Sequence, residues 1–220
     1  MSHVWLIRHG QASFGADDYD KLSELGVRQA RMLGVFLARR GERPERLLCG
    51  TLKRQRETAA ALAEGLAEGG VEVPELEIHA GFNENDADAL IADWIARGGD
   101  VPNKDDRKGY YRIMVKALFA WHRGEIDGSE SFVSYEARVA EALALAAEGA
   151  RPSFAVSSGG TIGQMVRKLM EAPPAQAARL QMQIKNSSYT RLAGRPERLS
   201  LLSFNETPHL DEQPELITWS

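Results

Sequence analysis

Residues 3–8 (HVWLIR) are an apolar, β-branched run that gives way to a glycine, which predicts a strand. Ser23 stands as the N-cap of a helix reaching about Arg40, with Val27, Ala30, Leu33 and Leu37 on one face. A second short strand is expected at 46–49 (RLLC), then a helix capped by Thr51 with Leu52, Ala59, Leu62 and Leu66 at helical spacing. Short extended pieces surround Pro74, and Leu90, Ile91, Trp94 and Ile95 mark a short amphipathic helix. The polar, Gly-flanked stretch 98–109 reads as a long mobile loop. Tyr111, Met114, Val115, Leu118 and Phe119 form the stripe of the next helix, and His122 continues it as a hydrogen-bonded packing residue.

Phe132, Tyr135, Val139, Leu143 and Ala146 predict a further helix, capped by Ser129 or Ser131. SFAVS at 153–157 is a buried strand, and Gly159-Gly160 lead into a helix carrying Ile162, Val166 and Leu169. After Pro173-Pro174 come a short helix and two strands, near 187–192 and 199–204, joined by Gly194-Arg195-Pro196 as an antiparallel hairpin. Alternating strands and helices predict an α/β fold: a three-layer α/β/α sandwich with a mainly parallel central sheet and an antiparallel C-terminal edge. One domain spans 1–220, with an entrance loop or cap region at 85–131 and a polar tail at 206–220.

Composition narrows the class. The 220 residues are 43% hydrophobic and 26% charged, which excludes a disordered, collagenous or coiled-coil chain. A net charge of −4 predicts no general nucleic-acid affinity. The arginines and glutamates between Arg39 and Arg46 read as a solvated helix end and turn. The single cysteine, Cys49, excludes an internal disulfide framework and a cysteine-based zinc site, and reads as a core residue. The first apolar run stops at Arg8, too short for a signal-peptide core or a membrane span, so a cytoplasmic protein with no membrane partner is expected.

Chemistry is expected where strands end, since open α/β sheets gather catalytic residues at their carboxyl edges. Three such ends carry telling residues: Arg8-His9-Gly10, the turn before Lys53-Arg54, and Ser157-Ser158-Gly159-Gly160. Arginine forks match phosphate oxygens, and a helix N-terminus adds backbone donors and a favourable dipole. A histidine between two arginines would face a bound phosphoryl group. The neighbouring cations would lower its pKa and keep it neutral and nucleophilic.

Around these residues the chain resembles the histidine phosphatase superfamily, also called phosphoglycerate mutase-like. RHGQASFGADDYDKLSELGVRQA (8–30) is similar to the family's opening RHG motif and the L-[ST]-x-x-G-x-x-Q-A start of its first helix. GTLKRQRETA (50–59) resembles S-x-L-x-R-A-x-x-T-A, with Arg54 at the phosphate-binding arginine. FNEND (82–86) is similar to the segment that carries the family's acid, here Glu84. SESFVSYEARV (129–139) and VSSGGTI (156–162) resemble the G-E-S and V-S-H-G-G blocks. The resemblance implies that His9 attacks a phosphomonoester and forms a phosphohistidine. Glu84 would protonate the leaving oxygen and then activate water, while Arg8 and Arg54 hold the equatorial oxygens. Catalytic residues are thus His9, Arg8, Arg54 and Glu84, and phosphate-binding residues Arg8, Arg54, Ser158 and Gly159. No metal and no cofactor is expected.

The departures bear on rate. The family's second histidine aligns with Ser158, and a hydroxyl donates one hydrogen bond but carries no charge. The usual threonine and asparagine after RHG become Ala12 and Gly15, and Gly50 replaces a serine. Ser158 lacks the G-x-S-x-G setting of a serine-hydrolase nucleophile, since Val156 stands where the first glycine belongs. The leading expectation is a metal-independent phosphatase acting on a small phosphorylated substrate. A phosphoglycerate mutase-type transferase, a protein phosphohistidine phosphatase and a catalytically weak phospho-ligand sensor are the rivals. The mutase ranks lower because the basic, proline-rich insertion between the acid and the G-E-S block is missing. Substrate identity and oligomeric state are left open.

Overall fold

The structure, a computed structural model, describes residues 1–13, 20–103 and 106–219. Six strands form one sheet in the order β3-β2-β4-β1-β5-β6. β1 (Ser2–Arg8), β2 (Arg46–Cys49), β3 (Leu76–Ile78) and β4 (Pro152–Ser157) run parallel. β5 (Tyr189–Arg195) and β6 (Arg198–Glu206) complete the edge as an antiparallel hairpin. Its turn falls at Pro196-Glu197, two residues later than the sequence suggests, because Gly194 and Arg195 are still paired with Leu199 and Arg198.

The central strands are apolar throughout because helices cover both faces. Alternate residues divide between them. Trp5, Ile7, Leu47, Cys49, Phe154 and Val156 face α1 (Glu24–Arg39) and α2 (Lys53–Glu68). Val4, Leu6, Leu48 and Ala155 face the opposite layer, built from α3 (Ala87–Ala96), α4 (Arg107–His122), α5 (Phe132–Ala147), α6 (Gly159–Leu169) and α7 (Ala175–Gln181). Each fully buried aliphatic or aromatic side chain contributes about 1.5–3 kcal/mol. The three-layer sandwich expected from the alternation of elements is the observed architecture.

Several local expectations need correction. Ser23 caps α1 by accepting from the Gly26 amide, and Ser131 caps α5 by accepting from Ser134. Thr51, however, does not cap α2. Its hydroxyl accepts from Asn83 Nδ2 at 2.8 Å, and α2 begins one residue later behind Leu52. On α1, Val27 is exposed, while Gln29 is buried among hydrogen bonds to the Gln11 amide and the Leu216 carbonyl. Arg46 is not part of a solvated turn: it is buried in β2, where Glu77 and the Leu145 carbonyl take its guanidinium. The loop expected at 98–109 is shorter, since α4 starts at Arg107, and residues 104–105 lie outside the described part. His122 packs between Trp121 and Phe132, but its buried Nδ1 has no hydrogen-bond partner among the described residues. Cys49 is buried, and burial pushes its thiol up to about 11, as befits a core residue.

The stretch after β6 is more than a polar tail. Leu210 and Leu216 are buried, and Thr218 Oγ1 donates to Asn186 Oδ1 at 2.9 Å. Among the described residues no helix is long and apolar enough to cross a membrane.

Candidate active site

β1, β2 and β4 end side by side, so the residues that follow them share one edge of the sheet. The His9 amide donates to the Ser157 carbonyl at 2.9 Å, extending the β1–β4 ladder past the last strand residues. The His9 carbonyl accepts from the Ser187 amide and from Asn186 Nδ2, both at 3.2 Å. Gly10 then crosses against α1 so closely that a Cβ there would lie 2.3 Å from the Gly26 carbonyl oxygen. The mirror contact excludes a side chain at Gly26, where a Cβ would lie 2.2 Å from the Gln11 carbonyl oxygen. The turn after His9 is thus held by close backbone contacts and by the side chains of Asn186, Thr58 and Gln29.

The His9 ring is 5% exposed, and its Nδ1 lies 2.7 Å from the Gly10 carbonyl. A carbonyl can only accept, so Nδ1 carries the proton and Nε2 keeps its lone pair. Burial, then the charges of Arg54 and Arg8, hold the imidazole well below its usual pKa. Neutral at physiological pH, with a fixed tautomer and two guanidinium neighbours, the ring has the electronic state that attack on phosphorus requires.

The arginines are themselves fixed. Arg8 donates to the Ile184 carbonyl, and to that of Trp219 at 3.2 Å. Gly159, the first residue of α6, lies against it: a Cβ there would be 3.6 Å from Arg8 Nε. Arg54 Nη1 donates to Asp20 Oδ1 at 2.6 Å, and the other oxygen of that carboxylate accepts from the Lys53 amide at 2.7 Å. One aspartate therefore positions the arginine and closes the first turn of α2, where its charge also suits the helix dipole.

Glu84 reaches the same edge. Its Oε2 accepts from the Gly160 amide in the first turn of α6 at 2.8 Å. Its Oε1 accepts from the Asn85 amide at 3.0 Å and from Asn85 Nδ2 at 2.9 Å. Arg138 of α5 holds the main chain here, with Nη1 donating to the Asn83 carbonyl at 2.9 Å. Glu130 in turn binds Arg138, its Oε2 accepting from Nε at 2.9 Å. Ser158 is the N-cap residue of α6, but its hydroxyl caps no amide. It accepts instead from Gln55 Nε2 at 2.9 Å.

Every site residue named from the sequence lies along this edge. Asp20, Gln55, Glu130 and Arg138 were not singled out from the sequence, although Glu130 and Arg138 fall within the block resembling G-E-S. Ala12 is buried and bridges to Leu22, while Gly15 lies outside the described residues. Among the described residues no group of His, Cys, Asp and Glu is arranged to hold a metal.

The profile of the histidine phosphatase superfamily, branch 1, matches residues 4–207, and the chain belongs to that family. Its class is therefore that of the phosphatases and phosphoglycerate mutase-like enzymes. Among solved structures it is similar to phosphoserine phosphatase from Entamoeba histolytica in complex with 3-phosphoglyceric acid. That likeness has 21% identity and a TM-score of 0.67, covering 96% of this chain and 100% of that one. It is also similar to a mycobacterial glucosyl-3-phosphoglycerate phosphatase, at 23% identity and a TM-score of 0.62, over 94% and 100% of the two chains. Phosphoglycerate mutase from Bacillus anthracis shares 16% identity with a TM-score of 0.67, over 95% of each chain. No curated protein matches the chain in sequence.

Proposed function

We propose that the protein is a metal-independent phosphatase that hydrolyses a small phosphomonoester through a phosphohistidine on His9. The observation that carries this reading is the state of His9: neutral, held by the Gly10 carbonyl through Nδ1, with burial and then two arginines depressing its pKa. In the first half-reaction the Nε2 lone pair attacks phosphorus, the P–O bond to the leaving group breaks, and Glu84 gives that oxygen its proton. In the second, water gives a proton to the Glu84 carboxylate and its oxygen attacks phosphorus. The P–N bond breaks, and inorganic phosphate and free His9 result. Arg8 and Arg54 balance the charge spread over the equatorial oxygens, and this positioning supplies most of the catalysis in phosphoryl transfer.

Three of the solved relatives' descriptions name phosphorylated hydroxy acids or their derivatives, which supports a small phosphorylated substrate. The lone buried cysteine fits a reducing, cytoplasmic setting.

Rapid-quench labelling with a ³²P aryl phosphate tests the reading. The wild type should show a burst of acid-labile, base-stable label and release phosphate containing solvent oxygen. His9→Ala should show neither and still fold. Wild-type turnover in His9→Ala would sink the assignment, and passage of label to an added phosphoglycerate instead of water would make the protein a mutase.

A further inference from the structure

Gln55 is wholly buried behind the pocket edge, and its amide orientation is set from the nitrogen side, since its Oε1 has no hydrogen-bond partner among the described residues. The Phe82 carbonyl lies 2.8 Å from Nε2, and a carbonyl can only accept. The nitrogen must therefore be on that side, and its second N–H points to Ser158 Oγ at 2.9 Å. This direction decides what Ser158 can do. Its oxygen is taken as an acceptor, so its own proton must be given to something else. Among the described residues nothing accepts it, although the side chain is completely buried. A buried hydroxyl proton without an acceptor is costly. At the end of β4, beside His9 and at the N-terminus of α6, the acceptor that suits it is a phosphoryl oxygen.

Gly50 belongs to the same arrangement. A Cβ at that position would lie 2.0 Å from Gln55 Oε1 and 2.4 Å from Asn83 Oδ1. A serine there could not coexist with the amide in its present place. Three positions at which the sequence departs from the pattern it resembles, Gly50, Gln55 and Ser158, are thus neighbours in space. The first leaves room for the second, and the second orients the third.

We infer that Gln55 is a positioning residue that turns Ser158 into a one-proton donor for the bound phosphoryl group, completing a pocket that lacks a second imidazole. The inference rests on the phosphatase reading for the location of the phosphate. It deepens that reading by treating the pocket as rebuilt around a neutral donor. Being uncharged, this donor does not titrate between pH 5 and 9.

The test is a double-mutant cycle of Gln55→Leu and Ser158→Ala, with inorganic phosphate binding measured by calorimetry and kcat/KM measured on an aryl phosphate. Each single change should weaken phosphate binding by about 10-fold, the worth of one hydrogen bond to a charged group. The double variant should bind no worse than Ser158→Ala alone, because without the hydroxyl there is nothing to orient. Additive losses would mean that Gln55 only packs, and unchanged phosphate binding in Ser158→Ala would remove the donor altogether. Either result overturns the inference. Gln55→Met, unbranched and of similar length, should repeat the leucine result if the leucine variant folds poorly. Phosphate binding is read without turnover. A wild type that binds phosphate but never labels would therefore count against the phosphohistidine while leaving the cycle readable.

Discussion

Glu130, just before the cap of α5, forms an ion pair with Arg138 in the second turn of that helix, and the arginine uses its remaining donors on the main chain of the loop that presents Glu84. Arg138 also lies 4.7 Å over the Tyr135 ring, which pins the guanidinium from below. Glu84 is thus placed by a chain of contacts starting more than forty residues downstream.

Under the proposed mechanism, Arg138→Met should therefore imitate a lesion of Glu84 itself. Turnover of alkyl phosphates, whose poor leaving groups need a proton, should fall by about 10- to 100-fold, and aryl phosphates should suffer far less. Glu84→Gln should give the same selectivity with a larger loss. Equal losses on both substrates for Arg138→Met would show that α5 serves folding alone.

Asp20 offers a second test by indirect action. Asp20→Asn keeps an oxygen for the Lys53 amide but removes the charge that fixes Arg54. KM should rise about 3- to 10-fold with a smaller change in kcat, since a guanidinium that has lost its Asp20 contact is positioned less well for phosphate in the ground state. The melting temperature should move by only a few degrees. A fall in kcat with KM unchanged would contradict this.

The His9 tautomer can be read directly. Long-range ¹H–¹⁵N spectra should show the Nδ1–H form from pH 7.5 down to 6.0 without protonation, because burial and the two arginines lower the pKa well below 6.5. His9 should remain a competent nucleophile throughout that range. An imidazole that titrates near 6.5 would remove the electrostatic basis of the site.

Acid should cost stability before it costs any carboxylate its charge. Burial lowers His209 to about 3 and His122 to about 4, while both titrate near 6.5 when unfolded. Below pH 6.5 the unfolded chain binds protons that the folded one refuses. Stability is therefore complete above 6.5 and declines as pH falls toward 4, by up to about 1.4 kcal/mol per pH unit for each histidine. His209→Asn, which can keep a hydrogen bond to Ser187, should flatten the fall of melting temperature between pH 6.5 and 5. An unchanged slope would place the acid sensitivity elsewhere.

The legible parts of this protein were those written in neighbouring residues. The apolar runs of β1 and β4, the caps at Ser23 and Ser131, and the arginine-histidine turn each occupy a short window where spacing reveals role. What sequence reading missed joins distant windows. Asp20 reaches Arg54, Gln55 reaches Ser158, and Arg138 reaches Asn83, and no local periodicity marks such pairs. Gln55 did leave a trace, as the polar residue standing where the second block usually has alanine. Thr51 misled because a threonine before a helix is a good cap by type, yet here Asn83 had already taken its hydroxyl.

The first strand lies between two of the last. β1 pairs with β4 on one side and β5 on the other, so neither neighbour exists until about residue 150 and residue 190 respectively have been added. During synthesis Val4, Leu6 and Ile7 wait without ladder partners, a stretch of open β-edge available to any other chain. His9 likewise gains Ser157, Asn186 and Ser187 only at the end. Such long-range pairing slows folding. It also means that a ribosome-bound chain stalled before residue 185 carries His9 without the Asn186 and Ser187 contacts that hold its main chain.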